Sequence, residues 1–305
     1  MKNLLNASFV LFFFAIALIK DPYTAKAGYA PGALLLAPKQ EIRLDKTILA
    51  KLCDSLVLEN DYKKIISSCE PYVSDTTCSE VITPYLIAAY YFTGDSIQSS
   101  KMLATLLNGK PYEDIIFYLI GDNIALIKYF DIGRNREPVI ALALEQYRNT
   151  ANVSRKQEGE QIIRFVINDQ MIRKLKYAYK KESPQAPEQL DRRRAIADSI
   201  QNKNIYNFYK KHGRYFSEKD VGAMVSSMQL IYFSHITDIE LRQTFFKSIL
   251  EKAVKDGIID KETLVNFILR TESFTNPEFW NTINDRLPEI RKQYDLPDNY
   301  IFTPF

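Results

Sequence analysis

Between Pro187 and Pro277 the chain runs without a proline, and this stretch holds only three glycines, at 213, 222 and 257. Proline removes a helical hydrogen bond and clashes with the preceding turn, and glycine loses the most backbone entropy on ordering. A stretch of this length so poor in breakers favours long helices, and its punctuation predicts where they start and stop. Ser183-Pro184-Gln185-Ala186-Pro187 reads as a loop, followed by a helix from about Glu188 to Gly213. Ser217-x-x-Asp220 and Thr237-x-x-Glu240 have the pattern of N-terminal caps, Asp260 opens a further helix, and Asn276-Pro277 places a cap before a proline at the first helical position. Gly257 after Asp256 fits a C-terminal cap. Upstream, Ser154-Arg155-Lys156-Gln157 reads as a capping box opening a helix to about Lys181. These signals predict six helices over 154–294 and little strand.

The first half has a helical period as well. Leu49, Leu52, Leu56 and Val57 lie on one helical face, Asn60-Asp61 breaks it, and residues 62–69 resume until Pro71. A strongly apolar helix is expected over 81–92, a turn at Thr93-Gly94-Asp95, and another helix over 97–107. Asp61 and Asp95 stand 34 residues apart, each where an acidic N-cap should open the second helix of a pair. A third turn is expected near Gly133, with a helix over 139–147 after it. Ala88-Ala89-Tyr90-Tyr91 followed by Thr93-Gly94-Asp95 resembles the small residues and Gly-Asp turn of tetratricopeptide repeats, over residues 45–150. A generic antiparallel bundle would use the same helices. The expected fold is all-α: a helical-hairpin, tetratricopeptide-like repeat domain over 45–150, followed by a helical bundle domain over 151–305.

Residues 1–27 read as a signal peptide: Lys2, an uncharged run over 9–19, and Ala25-Lys26-Ala27 as the cleavage signature. The run is too short for a membrane span, which needs about 20 residues. Export to the periplasm or the extracellular space is expected, with membrane contact only through an uncleaved signal segment. Residues 28–44, with Pro31 and Pro38, read as an extended lead-in. Removing 1–27 takes away Lys2, Lys20, Lys26 and Asp21 and reduces the net charge from +3 to +1. No field for nucleic acid remains. Arg192-Arg193-Arg194 follows Glu188 and Asp191 and reads as a solvated helix face.

Several chemistries lack their residues. The ten glycines form neither a dinucleotide-binding turn nor a phosphate loop, no Gly-x-Ser-x-Gly elbow occurs, and two histidines cannot build a histidine-rich metal centre. No cofactor and no metal is expected. Cys53, Cys69 and Cys78 leave three arrangements open: a bridge from Cys53 to Cys69 across the turn at Asp61, one from Cys69 to Cys78 across the loop at Val73, or three buried thiols.

Projected at about 100° per residue, the helix after Ser154 presents Ile162, Phe165, Val166, Ile172 and Tyr177 on one face, with Asp169 and Arg173 near its centre. The helix after Ser217 places His235 within the arc of Val221, Met224, Val225, Met228, Ile231 and Tyr232. Asp198 lies at the edge of its own apolar face, on a stripe with Asn202 and Tyr209. Charge on a core face is costly unless paired, so Asp169, Arg173 and His235 are expected to meet, as a structural knot or as a catalytic cluster with Asp198 secondary. His212, before Gly213 at a helix end, reads as a surface residue.

The second half is similar to bacterial proteins grouped as domain of unknown function 6624. The likeness rests on Asp169-Gln170-Met171-Ile172-Arg173, then Asp198 to Asn202, His212-Gly213, Val221-Gly222, His235 and Ala253-Val254-Lys255-Asp256-Gly257, in that order over about residues 155–295. Asp285-Arg286 and Gln293 stand where the family carries further elements, but the terminal Gly-Thr-Gln is missing. The resemblance implies the same site residues and no particular reaction. Two functions are expected from these readings: an exported scaffold whose helical repeat binds a protein or peptide, or a hydrolase-like enzyme using Asp169 and His235 with Arg173 on an anionic group.

Overall fold

The computed structural model describes residues 46–75, 78–179 and 186–302, so the expected signal peptide and lead-in lie outside the described residues. Every element described is helical, and the fold is all-α as expected. The first hairpin pairs α1 (Lys46–Leu58) with α2 (Tyr62–Cys69), and the second pairs α3 (Ser79–Phe92) with α4 (Ser96–Leu107).

The two hairpin turns are copies of one another at the spacing of 34. Each first helix ends at a left-handed residue, Asn60 at φ +57° and Gly94 at φ +98°. Asp61 then caps α2 by accepting from the Lys64 amide at 3.2 Å, and Asp95 caps α4 by accepting from the Gln98 amide at 2.9 Å. The Asp61 amide donates to the Leu56 carbonyl and the Asp95 amide to the Tyr90 carbonyl, at 2.9 and 2.8 Å.

A third copy does not follow at Gly133. Instead α5 (Tyr112–Ile120) and α6 (Ile124–Asp131) meet at Gly121–Asn123, where the Asn123 side chain accepts from the Leu126 amide. Gly133 is the first residue of α7 (Gly133–Thr150), which contains the helix expected over 139–147. The reason is apolar content: Ile115, Ile116, Leu119, Ile124, Leu126 and Phe130 must all be covered, and two short helices cover them.

The second half consists of α8 (Lys156–Ala178), α9 (Ala186–His212), the short α10 (Glu218–Val221), α11 (Ala223–His235), the single turn α12 (Ile239–Leu241), a π-helical segment Arg242–Phe246, α13 (Lys247–Lys255), α14 (Lys261–Glu272) and α15 (Phe279–Tyr294). Helix α8 is the axis, touching α5, α6, α7, α9, α10 and α11. One apolar core runs from Leu49 to Phe267 through both halves, and a smaller one joins α14, α15 and Tyr300.

Three caps differ from expectation. Ser154 does not cap α8; its backbone N–H and hydroxyl donate to the Lys219 carbonyl, and Arg155 is the residue before the helix. Tying the α7–α8 link to α10 takes precedence over a local box. Asp238, not Thr237, caps α12 by accepting from the Leu241 amide. Asn276 forms a turn whose side chain accepts from the Glu278 amide, and α15 begins at Phe279. The capping box at Ser217 and Asp220, the cap at Asp260 and the left-handed Gly257 are present.

Helices α7 and α8 pack closely at Gly159. A Cβ there would lie 1.9 Å from the Tyr147 hydroxyl, which is buried and donates to the Val221 carbonyl at 2.9 Å. Alanine normally improves a helix by about 1 kcal/mol over glycine. Here Gly159→Ala is expected to lower stability by about 2–4 kcal/mol, because overpacking and a lost buried hydrogen bond outweigh propensity. Urea unfolding should show a lower midpoint; an unchanged or raised midpoint would refute the close contact.

Candidate functional site

Asp169 lies on α8 and is 3% exposed. Arg173, one turn later, donates from Nε to Asp169 Oδ1 at 2.9 Å and from Nη2 to Asp198 Oδ1 on α9 at 3.0 Å. His235, the last residue of α11, brings Nδ1 to 2.6 Å from Asp169 Oδ2. Gln170 Nε2 also donates to Oδ2, at 3.0 Å. The four residues singled out from the sequence therefore lie together where α8, α9 and α11 converge. Arg194 approaches Asp198 from solvent, Nε to Oδ2 at 3.6 Å.

Burial would raise the Asp169 carboxyl, but the hydrogen bond and charge of His235, followed by those of Arg173, outweigh it and hold the group below its usual value. Asp169 is therefore a carboxylate at neutral pH. A carboxylate only accepts, so His235 Nδ1 is the donor in this bond, and Nε2 is the ring nitrogen that Asp169 does not engage. The His235 side chain remains 21% exposed. The cluster is closed at Asp169 and reaches solvent at the imidazole.

Two arginines missed in the sequence support this end of the bundle. Arg242 is 0% exposed and has no carboxylate partner among the described residues. Its Nη1 donates to the carbonyls of Phe233, Ser234 and Ile236, at 2.7, 3.1 and 3.1 Å, and Nε donates to Thr271 Oγ1 at 2.8 Å. These are the carbonyls that a helix leaves unsatisfied at its C-terminus, where a cation is favourable. Arg242 thus caps the helix end that presents His235. Burial, and then the charge of Arg270, pull its pKa down to about 9, so it stays charged at neutral pH. Arg270 on α14 stacks on Phe274 and Trp280, at 5.2 and 5.8 Å, and has no carboxylate partner among the described residues. Burial and the charge of Arg173 lower its pKa.

His212 is not the open surface residue expected. It is half-buried between Phe208 and Phe216, and burial lowers its pKa. A cavity of about 350 Å³ lies along the α8–α9 contact, lined by Met171, Ile172, Ala197, Ile200 and Arg193. It opens beside the next stripe of α8, and Asp169, Arg173 and His235 do not line it. No group of three or more His, Cys, Asp or Glu among the described residues is arranged to hold a metal ion, and no described helix is long and apolar enough to cross a membrane. Comparison of the chain with protein-family models, curated proteins and solved structures finds no match in any of the three.

Proposed function

We propose that the protein is a hydrolase-like enzyme in which His235 is the general base. The supporting observation is the 2.6 Å bond between His235 Nδ1 and the buried Asp169 carboxylate, on a ring that reaches solvent. Asp169 orients the ring and stabilises the imidazolium formed when Nε2 takes a proton from water. That water attacks the electrophilic carbon or phosphorus, and the same proton then passes to the leaving group. Arg173 holds an anionic group of the substrate, and the uncompensated charge of Arg270 favours anionic over neutral esters. The membership suggested by the resemblance to domain of unknown function 6624 is part of this proposal, since it selects the same residues.

The test uses 4-nitrophenyl phosphate, bis(4-nitrophenyl) phosphate and 4-nitrophenyl acetate with the full chain. Turnover of an anionic ester should fall by about 10²-fold or more in His235→Gln, with a smaller loss of melting temperature than in Asp169→Ala. Turnover of none of the three, or turnover indifferent to His235→Gln, would overturn the proposal.

A second reading, a scaffold binding a protein or peptide on its helical hairpins in an exported setting, is favoured by the turn repeated at Asp61 and Asp95. A random-peptide library that yields no binder to the full chain would dismiss it.

A further inference from the structure

We propose that Cys53 and Cys69 are joined by a disulfide that staples α1 to α2 once the protein meets a disulfide oxidant. Cys53 lies on the inner face of α1 and Cys69 is the last residue of α2, eight positions on either side of Asp61. Both side chains are fully buried, and their sulfurs lie 3.2 Å apart. A disulfide is about 2 Å long, so the sulfurs need only approach by about 1 Å, which side-chain rotation supplies. Of the bridges the sequence left open, Cys69 to Cys78 would draw Cys69 away from the sulfur it already touches.

The surroundings hold the hairpin in this register. The Tyr85 hydroxyl on α3 donates to Asp54 at 2.7 Å, beside Cys53. The Lys128 amine on α6 donates to the Val57 carbonyl at 3.1 Å and to Asn60 Oδ1 at 2.9 Å, which ties the turn itself to the core. In the closed hairpin the hydrogen bond between the thiols, with burial adding to it, raises the Cys53 thiol, and the same bond lowers that of Cys69.

Closure proceeds by exchange. The thiolate of one of the two cysteines attacks one sulfur of an oxidant disulfide, such as glutathione disulfide or a Cys-x-x-Cys oxidoreductase, and expels a thiolate. The thiolate of the other cysteine then attacks the cysteine sulfur of that mixed disulfide, forming the internal bond and expelling the second thiolate. The two cysteines lose two electrons and two protons, and the oxidant ends as two thiols. Since both sulfurs are buried, exchange requires the hairpin to open or takes place before it docks, and the finished bond is shielded from attacking thiols. Export, as expected from residues 1–27, would deliver the chain to an oxidising compartment.

The experiment incubates the full-length chain with glutathione disulfide and maps it without reduction after digestion by trypsin and chymotrypsin, which separates the three cysteines. The expected product is a linked pair of peptides, one holding Cys53 and the other Cys69, with Cys78 still alkylated. Oxidised protein should melt about 5 °C above the reduced form, the tether's effect on the unfolded chain, and Cys78→Ala should leave the link and the shift intact. Recovery of Cys53 and Cys69 both alkylated, a link through Cys78, or an oxidised form no more stable than the reduced one would overturn the proposal.

Discussion

Arg242→Met is expected to lower stability by about 3–5 kcal/mol, although it removes no ion pair. Methionine keeps much of the stem and its packing, so the loss isolates the guanidinium. The buried carbonyls of Ser234 and Ile236 would lose the guanidinium, that of Phe233 would keep only the Ile236 amide at 3.4 Å, and Thr271 would lose its own contact. Each unsatisfied buried acceptor costs about 1–3 kcal/mol. Against this stands the relief of desolvating a cation, which keeps the total well below the sum. Arg242→Lys should fall between, because a single ammonium cannot serve Thr271 and three carbonyls in one plane. Denaturant unfolding checks the order wild type, Lys, Met; a methionine variant within about 1 kcal/mol of wild type would show that the carbonyls find other donors. The same variant should loosen the end of α11 and carry His235 away from Asp169.

Arg242 also marks where sequence reading stops. Its partners are backbone carbonyls, which no pattern of residue types records. The available signal was an arginine beside Leu241 and just before Phe245-Phe246, in an apolar neighbourhood without an acidic residue one helical turn away on the C-terminal side. Asp169 and Arg173 were legible because both ends of their pair are side chains four apart on an apolar face. His235 was legible as a titratable residue on an apolar face in need of a partner, so its meeting with Asp169, 66 residues away, was expected, while the particular bond from Nδ1 to Oδ2 required the fold. Asp61 and Asp95 were legible because a left-handed Asn or Gly followed by an acidic cap is a local device. The caps at Ser154 and Thr237 were misread because tertiary demands, the tie to Lys219 and the start of α12, displaced a local pattern. Gly159 carried only the weak signal of a glycine within a helical stretch, and its reason, the Tyr147 hydroxyl, lies on another helix.

Asp169→Ala is expected to lower stability by about 3–5 kcal/mol at neutral pH and to abolish the proposed turnover. The carboxylate is the common acceptor of Arg173, His235 and Gln170, and it is almost fully enclosed. Its removal strands part of a guanidinium that lies largely out of solvent, while Asp198 keeps the other arm. That remaining bond places the loss toward the lower end of the range. His235→Gln removes only the outer member, so the stability ranking separates the inner support from the proposed base. The acid dependence has a definite sign. The folded Asp169 carboxyl lies below its unfolded value of about 4, so its contribution is complete above that pH and is lost as pH falls through the lower, folded value. Melting temperatures measured from about pH 6 down to about pH 2 should converge for wild type and Asp169→Ala at the acid end. Parallel curves would mean that Asp169 is not ionised in the folded protein, and the proton assignment at His235 would fall with it.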